Sequence, residues 1–445
     1  MSFPAFKGCC KDAVKGEDMY EQAWLEHWSE QFQSPFYVLD DKRLVDNYQR
    51  MERAFSSRYD RVIIAYSYKT NYLPHLCRKL HESGAYAEVV SRLEYDLAKS
   101  FGVRPKQIVF NGPLKREEDI SLALDGEAVV NLDSFSEIPI VIRYAKRHVQ
   151  KEVKIGLRVN FDLSVNGESP LQNGYEVSRF GFCLENGNFE RAVRELSRSP
   201  NIRIVGLHGH FSTNRSLGVY EQITQQLCFL AREYLKDSLE YIDVGGGMYG
   251  ELPTSFGNKI APSYEDYAET ITAVMKKELL PYGLHPILIL EPGISLVADA
   301  VHFVCRVVDV KENRRVRFVL VDGSVHNVKP TMHKHPLPVE LITDREDDHD
   351  PVGTYHVVGY TCMEKDYLVE NGCGRLPQPG DFLVFGHVGA YTIVFQPPFI
   401  QARPPIIALG AQGVVVAREK ETLEQFCPEP RYQLTPFQRM NGEDE

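Results

Sequence analysis

Eight short runs rich in β-branched and apolar residues recur between positions 62 and 290, and they restrict the fold of this chain more than any other feature. They are Val62–Ser67, Ala85–Val90, Gln107–Asn111, Ala128–Asn131, Lys154–Val159, Arg203–His208, Tyr241–Asp243 and Ile287–Leu290. Stretches with helical spacing lie between them, such as Leu73–Ser83 (apolar at Leu73, Leu76 and Leu80), Leu93–Phe101 and Tyr264–Leu280. Strands that alternate with helices pair in parallel through right-handed crossovers. Eight such units over about 240 residues match the size of a (β/α)8 barrel. A doubly wound sheet is the alternative that the same alternation allows.

After Gly293 the texture changes. Val301–Val310, Arg315–Val321, Thr354–Tyr360, Phe382–Phe385 and Ile406–Ala417 read as strands parted by Gly, Pro and polar turns, with no long helical pattern between them. The expected architecture is therefore α/β plus all-β: a barrel over 46–295 and a C-terminal, β-barrel-like domain over 296–445. The N-terminal segment 1–45 ends in the strand-like Phe36–Leu39, which adds a strand to the β domain. Thr343–Asp350 reads as a solvated loop, and the polar tail after Thr435 as frayed.

With 43% hydrophobic and 25% charged residues in 445, a large core is available. The net charge of −11 and the lack of a basic run argue against general affinity for nucleic acid or an anionic membrane. No apolar stretch is long enough to span a bilayer, and Met1–Asp18 lacks the layout of a signal peptide, so a cytoplasmic location is expected. The nine cysteines are scattered without a CxxC pair. In a reducing compartment most read as small buried apolar groups.

Barrel enzymes carry their chemistry at the C-terminal ends of the strands. Those ends hold Lys69; Glu88 and Ser91; Asn111-Gly112; Arg158; His208, His210, Ser212 and Thr213; Gly245-Gly246-Gly247; and Glu291. Three consecutive glycines let backbone N–H groups approach an anion, and the loops after strands 7 and 8 of a barrel often hold phosphate. A flexible turn is the plain alternative. Lys69, at the end of a buried strand, is costly unless it has a task, and its amine can form a Schiff base with an aldehyde. A surface lysine is the alternative there. Glu291 can pair with a protonated ring nitrogen, or can be a structural ion-pair partner.

With these residues in place, the chain resembles the fold-type III pyridoxal-phosphate (PLP) decarboxylases, which include diaminopimelate, ornithine and arginine decarboxylases. The resemblance runs through Pro35–Asp40, Tyr66–Asn71, Ala87–Ser91, Asn131–Ser134, Ser178–Gly181, Gly206–His210 and Asp243–Gly247 in the first part. In the β domain it continues through Gly359–Cys362 with Asp366, and Gly389–Tyr391. It implies that Lys69 holds PLP as a Schiff base, that His210 stacks on the ring, and that Glu291 binds the ring nitrogen. Gly245, Gly246 and Gly247, Tyr391 and one of Ser212 or Thr213 would hold the phosphate. Arg158 and Glu88 would line the cofactor pocket. Cys362 would enter the other subunit's site and return a proton after CO2 leaves, so a homodimer with shared sites is implied.

Some positions depart from the family pattern. Ile294 follows Glu291-Pro292-Gly293 where members carry arginine. Met363 follows Cys362 where well-known members carry an acid, with Glu364 next. Lys329 in Lys329-Pro330-Thr331-Met332-His333 stands where an arginine contacts a carboxylate. Lys329, Glu364 and Asp366 are the expected substrate contacts. The run Cys362-Met363-Glu364-Lys365-Asp366 resembles the branch found in siderophore and antibiotic pathways. The departures imply a small amino-acid substrate that is unusual, conjugated or carrier-bound, in a specialised pathway. Diaminopimelate or ornithine decarboxylation is the alternative, followed by a PLP racemase or a non-catalytic PLP-binding homologue. No metal site is expected, since His333, His335, His349 and His356 lack a ligand spacing.

Overall fold

The computed structural model describes residues 20–164, 171, 175, 177–211, 215–253, 261–345, 351–411 and 413–428. β1 spans Phe36–Asp40, and the eight apolar runs follow as β2 (Val62–Ser67), β3 (Tyr86–Val89), β4 (Ile108–Phe110), β5 (Val129–Leu132), β6 (Val153–Asn160), β8 (Ile202–His208), β9 (Tyr241–Asp243) and β10 (Ile287–Leu290). The two-residue strand β7 (Phe182–Cys183) attaches to β6 alone. All barrel neighbours are parallel. β10 pairs back onto β2, and β5 with β6, which closes the barrel. Helices cover the outside, so each strand is buried on both faces and reads as a continuous apolar run.

The inside of the barrel is layered. Ala65, Val109, Val205, Tyr241 and Ile289 form an apolar cluster within it, with Tyr86 and Val129 packed against them. The Tyr241 ring fills the space left by Gly156 and Gly206, where an added Cβ would lie 2.0–2.1 Å from it. Side chains of a strand repeat every second residue. Two residues beyond this apolar layer come Ser67, Glu88, Asn111, Asn131, Arg158, His208, Asp243 and Glu291, all buried. One strand period thus separates a packed floor from a polar ring.

The rest of the chain forms the β domain. β1 is joined by β11 (Val301–Asn313), β12 (Val316–Val321), β13 (Val339–Ile342), β14 (Val352–Val358), β15 (Tyr367–Arg375), β16 (Phe382–Phe385), β17 (Ile406–Gly410) and β18 (Gly413–Arg418). β1 lies between β11, antiparallel, and β17, parallel. Three local readings change. The run Ile406–Ala417 is a hairpin, not one strand, and Gly413 at φ +98° lies on its return side. β13 and β15 were not expected from the sequence. Of Thr343–Asp350, residues 346–350 lie outside the described residues, as does the tail after Thr435.

The chain crosses between domains at Asp40. Its carboxylate accepts the Arg43 N–H at 2.9 Å and caps the helix Asp41–Ser56. That helix packs on the barrel helix Tyr264–Leu279, so it straddles the expected 45/46 boundary. The return contact is made by 389–391: Asn71 Nδ2 donates to Gly389 O and Tyr391 N–H to Thr70 O, both at 2.9 Å. No described helix is long and apolar enough to cross a membrane.

Candidate active site

Lys69 extends from the single turn Tyr68–Thr70 that follows β2. Its ammonium donates to Glu88 Oε2. Glu88 also accepts from Ser67 Oγ at 2.6 Å and from Asn111 Nδ2 at 3.1 Å. Burial pushes the Lys69 ammonium down, but the charges of Glu88 and Glu291 outweigh it and hold the amine protonated. The amine is thus parked on a carboxylate that is also its nearest proton acceptor.

Glu291, at the end of β10, accepts from Asn111 Nδ2 and lies 3.5 Å from His208 Nε2. Asp243 faces the same point; ligand atoms of His208, Asp243 and Glu291 all lie within 4.8 Å of one another. This is the one cluster of metal-capable side chains among the described residues, and it contains none of His333, His335 and His356. Two carboxylates so close share a proton. Burial and the charge of Glu291 push the Asp243 carboxyl well up. Burial alone would raise Glu291 too. His208, Lys69 and the adjoining Asp243 hold it below the usual carboxylate range instead. Asp243 is the neutral partner and Glu291 the charged one.

The His210 ring lies parallel to that of His208, with centroids 6.4 Å apart. Its Nδ1 accepts the Gly246 N–H at 3.1 Å, which excludes a proton there. Burial and the charge of Arg158 push the imidazole down to about 3, so the ring is neutral. Arg158 pairs with Asp133 at 3.3 Å and donates to His210 O at 2.9 Å. The glycine loop after β9 cannot carry side chains. Gly245 and Gly247 have φ of +70° and +98°, and a Cβ on Gly246 would lie 1.9 Å from Glu291 O. Tyr220 anchors the loop by donating to Gly246 O at 2.8 Å.

The structure brings Lys69, Glu88, Arg158, His210, Gly245, Gly246, Gly247 and Glu291 together at one barrel mouth, with Tyr391 at φ +57° beside Thr70. Ser212 and Thr213 lie outside the described residues. Cys362 and Glu364 are exposed on the β-domain loop between β14 and β15. Lys329 is half-buried, and burial lowers its ammonium pKa. Ile294, also half-buried, opens the short helix Ile294–Val297. Asp366 requires a correction. It is buried and accepts from Val325 N, Thr361 N, Ser324 Oγ and Thr361 Oγ1 at 2.6–3.2 Å. Its oxygens brace the Cys362 loop and are not open to substrate.

Sequence reasoning assigned no role to Asn111, Asn131, Asp133, His208, Tyr220 or Asp243. Asn111 bridges Glu88 and Glu291, and Asn131 orients it at 2.9 Å. The period-2 step from the apolar floor was the available signal for Asn111, Asn131, His208 and Asp243.

Glu94 lies behind the site, buried, accepting Val90 N–H at 2.7 Å. Burial pushes its carboxyl up to about 7. A raised folded pKa means the native state binds the proton more tightly, so this contribution is full below the unfolded value of 4.5 and lost as pH rises towards 7. Glu94→Gln keeps an acceptor for Val90 and removes the cost. It is expected to stabilise the protein at pH 8 by up to about 3 kcal/mol and to do little at pH 4.5. Melting curves at both values check this; equal shifts at both would contradict it.

The profile of the family described as "Pyridoxal-dependent decarboxylase, pyridoxal binding domain" matches residues 42–298. The diaminopimelate decarboxylase of Methanocaldococcus jannaschii is 27% identical over 422 residues, 92% of each chain. That of Methanothermobacter thermautotrophicus is 29% identical over 435 residues, 93% of this chain and 94% of that one. Among solved structures, diaminopimelate decarboxylase from M. jannaschii superposes with a TM-score of 0.82 at 26% identity, covering 92% of this chain and 94% of that one. A point mutant of the Helicobacter pylori diaminopimelate decarboxylase, complexed with L-lysine, gives 0.78 at 25%, covering 92% and 99%. These relatives lend no support to the expected siderophore and antibiotic branch.

Proposed function

The chain belongs to the pyridoxal-dependent decarboxylases, a family of PLP-dependent carboxy-lyases, and from that membership we propose that it decarboxylates diaminopimelate. The observation that carries the reading is the amine of Lys69 and the buried, ionised carboxylate of Glu291 at the ends of adjacent strands β2 and β10. The residues fit the cofactor. Lys69 would hold its aldehyde, Glu291 its ring nitrogen, and Gly245–Gly247 with Tyr391 its phosphate. The neutral ring of His210 offers a flat face that adds no charge. Bound PLP supplies the electron sink for the pair left when the carboxyl group departs.

The protein's own groups handle protons. Glu88 Oε2 is in position to take the proton that frees the Lys69 amine. Asn111, Asp243 and His208 keep Glu291 charged and aimed. We assign the returning proton to the Cys362 thiol of a second copy, because Cys362 is exposed on the β domain and not on the barrel that carries Lys69. Lys329 and Glu364 are the charged groups we assign to the far end of the substrate.

Loss of one carboxyl group from diaminopimelate leaves lysine, the molecule complexed with the H. pylori relative. A second reading rests on Met363, uncharged where well-known members carry the acid that binds the distal end of the substrate, and on Ile294, uncharged where they carry arginine. That reading is a conjugated or otherwise unusual amino acid. CO2 release from diaminopimelate, ornithine, arginine and a conjugated diamino acid separates the two. Diaminopimelate is expected to lead, with kcat/KM of at least about 10⁴ M⁻¹s⁻¹. No release from it, with turnover of the conjugate, would overturn the first reading. For the shared site, mixing equal amounts of Lys69→Ala and Cys362→Ala, each inactive alone, is expected to restore about a quarter of wild-type activity. No restoration after exchange of subunits would place both groups in one chain.

A further inference from the structure

The glycine loop has donors to spare and, near it, a guanidinium that no carboxylate pairs with among the described residues. Gly245 N–H is taken by Asp243 Oδ1 at 2.9 Å and Gly246 N–H by His210 Nδ1. The next two, Gly247 and Met248, have no acceptor among the described residues, although Met248 is fully buried. Buried N–H groups left without a partner are costly, and consecutive ones form an anion-binding concavity. The Tyr249 N–H, next in line, is taken by Tyr267 Oη at 3.3 Å, so the free pair is bounded on both sides.

Neutral donors alone hold a phosphate dianion weakly, since the second phosphate pKa lies near 6 and the group carries close to two charges at pH 7. The nearby cations are not equally available. Lys69 is held by Glu88, and Arg158 by Asp133 and the His210 carbonyl. Ile294, after β10, has no charge to offer. Arg215 differs from all three. Its guanidinium lies over the Tyr249 ring at 5.1 Å, and no carboxylate pairs with it among the described residues. Its backbone is fixed too: Tyr267 Oη donates to Arg215 O at 2.5 Å. Tyr267 packs edge-on against Tyr220, the residue that anchors Gly246. The framework that positions the loop therefore also positions Arg215.

We propose that Arg215 is the cation that holds the cofactor phosphate on the loop Gly245–Met248. This rests on PLP as the cofactor but not on any choice of substrate. The test compares PLP with pyridoxal, which lacks the phosphate, by spectroscopic titration of apoprotein from wild type, Arg215→Gln and Arg215→Lys. Arg215→Gln is expected to weaken PLP about tenfold or more and to leave pyridoxal unchanged, with Arg215→Lys recovering part of the loss. Equal weakening of both ligands by Arg215→Gln would mean that the residue only supports the fold around Tyr249, and would overturn the proposal. Unchanged PLP binding with a raised substrate KM would also overturn it, by moving Arg215 to the substrate. A wild type that binds PLP no better than pyridoxal would remove the phosphate site itself, a failure distinct from that of Arg215.

Discussion

Lys69→Ala is expected to lower turnover by about a thousandfold or more and to remove the visible absorbance that bound cofactor lends the protein. The Lys69 amine is the primary amine at the ring of strand ends among the described residues, and alanine offers no nitrogen in its place. The fold is expected to survive. Lys69 is about a third exposed, and its partner Glu88 keeps two donors, Ser67 Oγ and Asn111 Nδ2, after the amine is gone. Melting within a few degrees of wild type alongside lost absorbance would therefore locate the defect in the chemistry. Retention of a tenth of the activity would contradict the assignment.

Glu291→Gln is the second large effect. Glutamine has the same shape and still offers an oxygen to Asn111, so packing in the cluster is preserved. What it lacks is charge. His208, Lys69 and Asp243 together keep Glu291 ionised despite burial, and under the proposed function that negative charge would hold a ring nitrogen protonated. If the charge is worth two to three pKa units at the ring nitrogen, kcat falls on the order of 10²–10³-fold, with cofactor still attached at Lys69. Because the Glu291 carboxyl sits below the ordinary range, its own titration takes no part in the pH profile above pH 4. A variant within threefold of wild type would show that the charge is not used.

The barrel was legible because its signal is local. Every strand has its own apolar run, and Val62–Ser67, Tyr241–Asp243 and Ile287–Leu290 form as read. The β domain was harder. β15 carries Glu370, Asn371, Gly372 and Gly374 and so lacks a strand's usual composition, and Ile406–Ala417 hides a turn inside an apolar stretch. In the site, residues at strand ends could be named one by one. Their partners could not, because Asn111 meets Glu291 across 180 positions and Asp243 meets it only when β9 and β10 pair in register. The contrast between Asp366 and Cys362 shows the same limit. The two lie four positions apart in one motif, yet one is buried with four donors and the other exposed. Motif matching treats them alike; hydrogen-bond accounting separates them.

Borohydride reduction of the purified holoprotein, followed by peptide mass mapping, shows whether the chain carries PLP on Lys69, since reduction fixes the cofactor to whichever lysine holds it. A single phosphopyridoxyl group is expected on the peptide containing Tyr68-Lys69-Thr70. An unmodified Lys69, with the group on another lysine such as the buried Lys115, would contradict it.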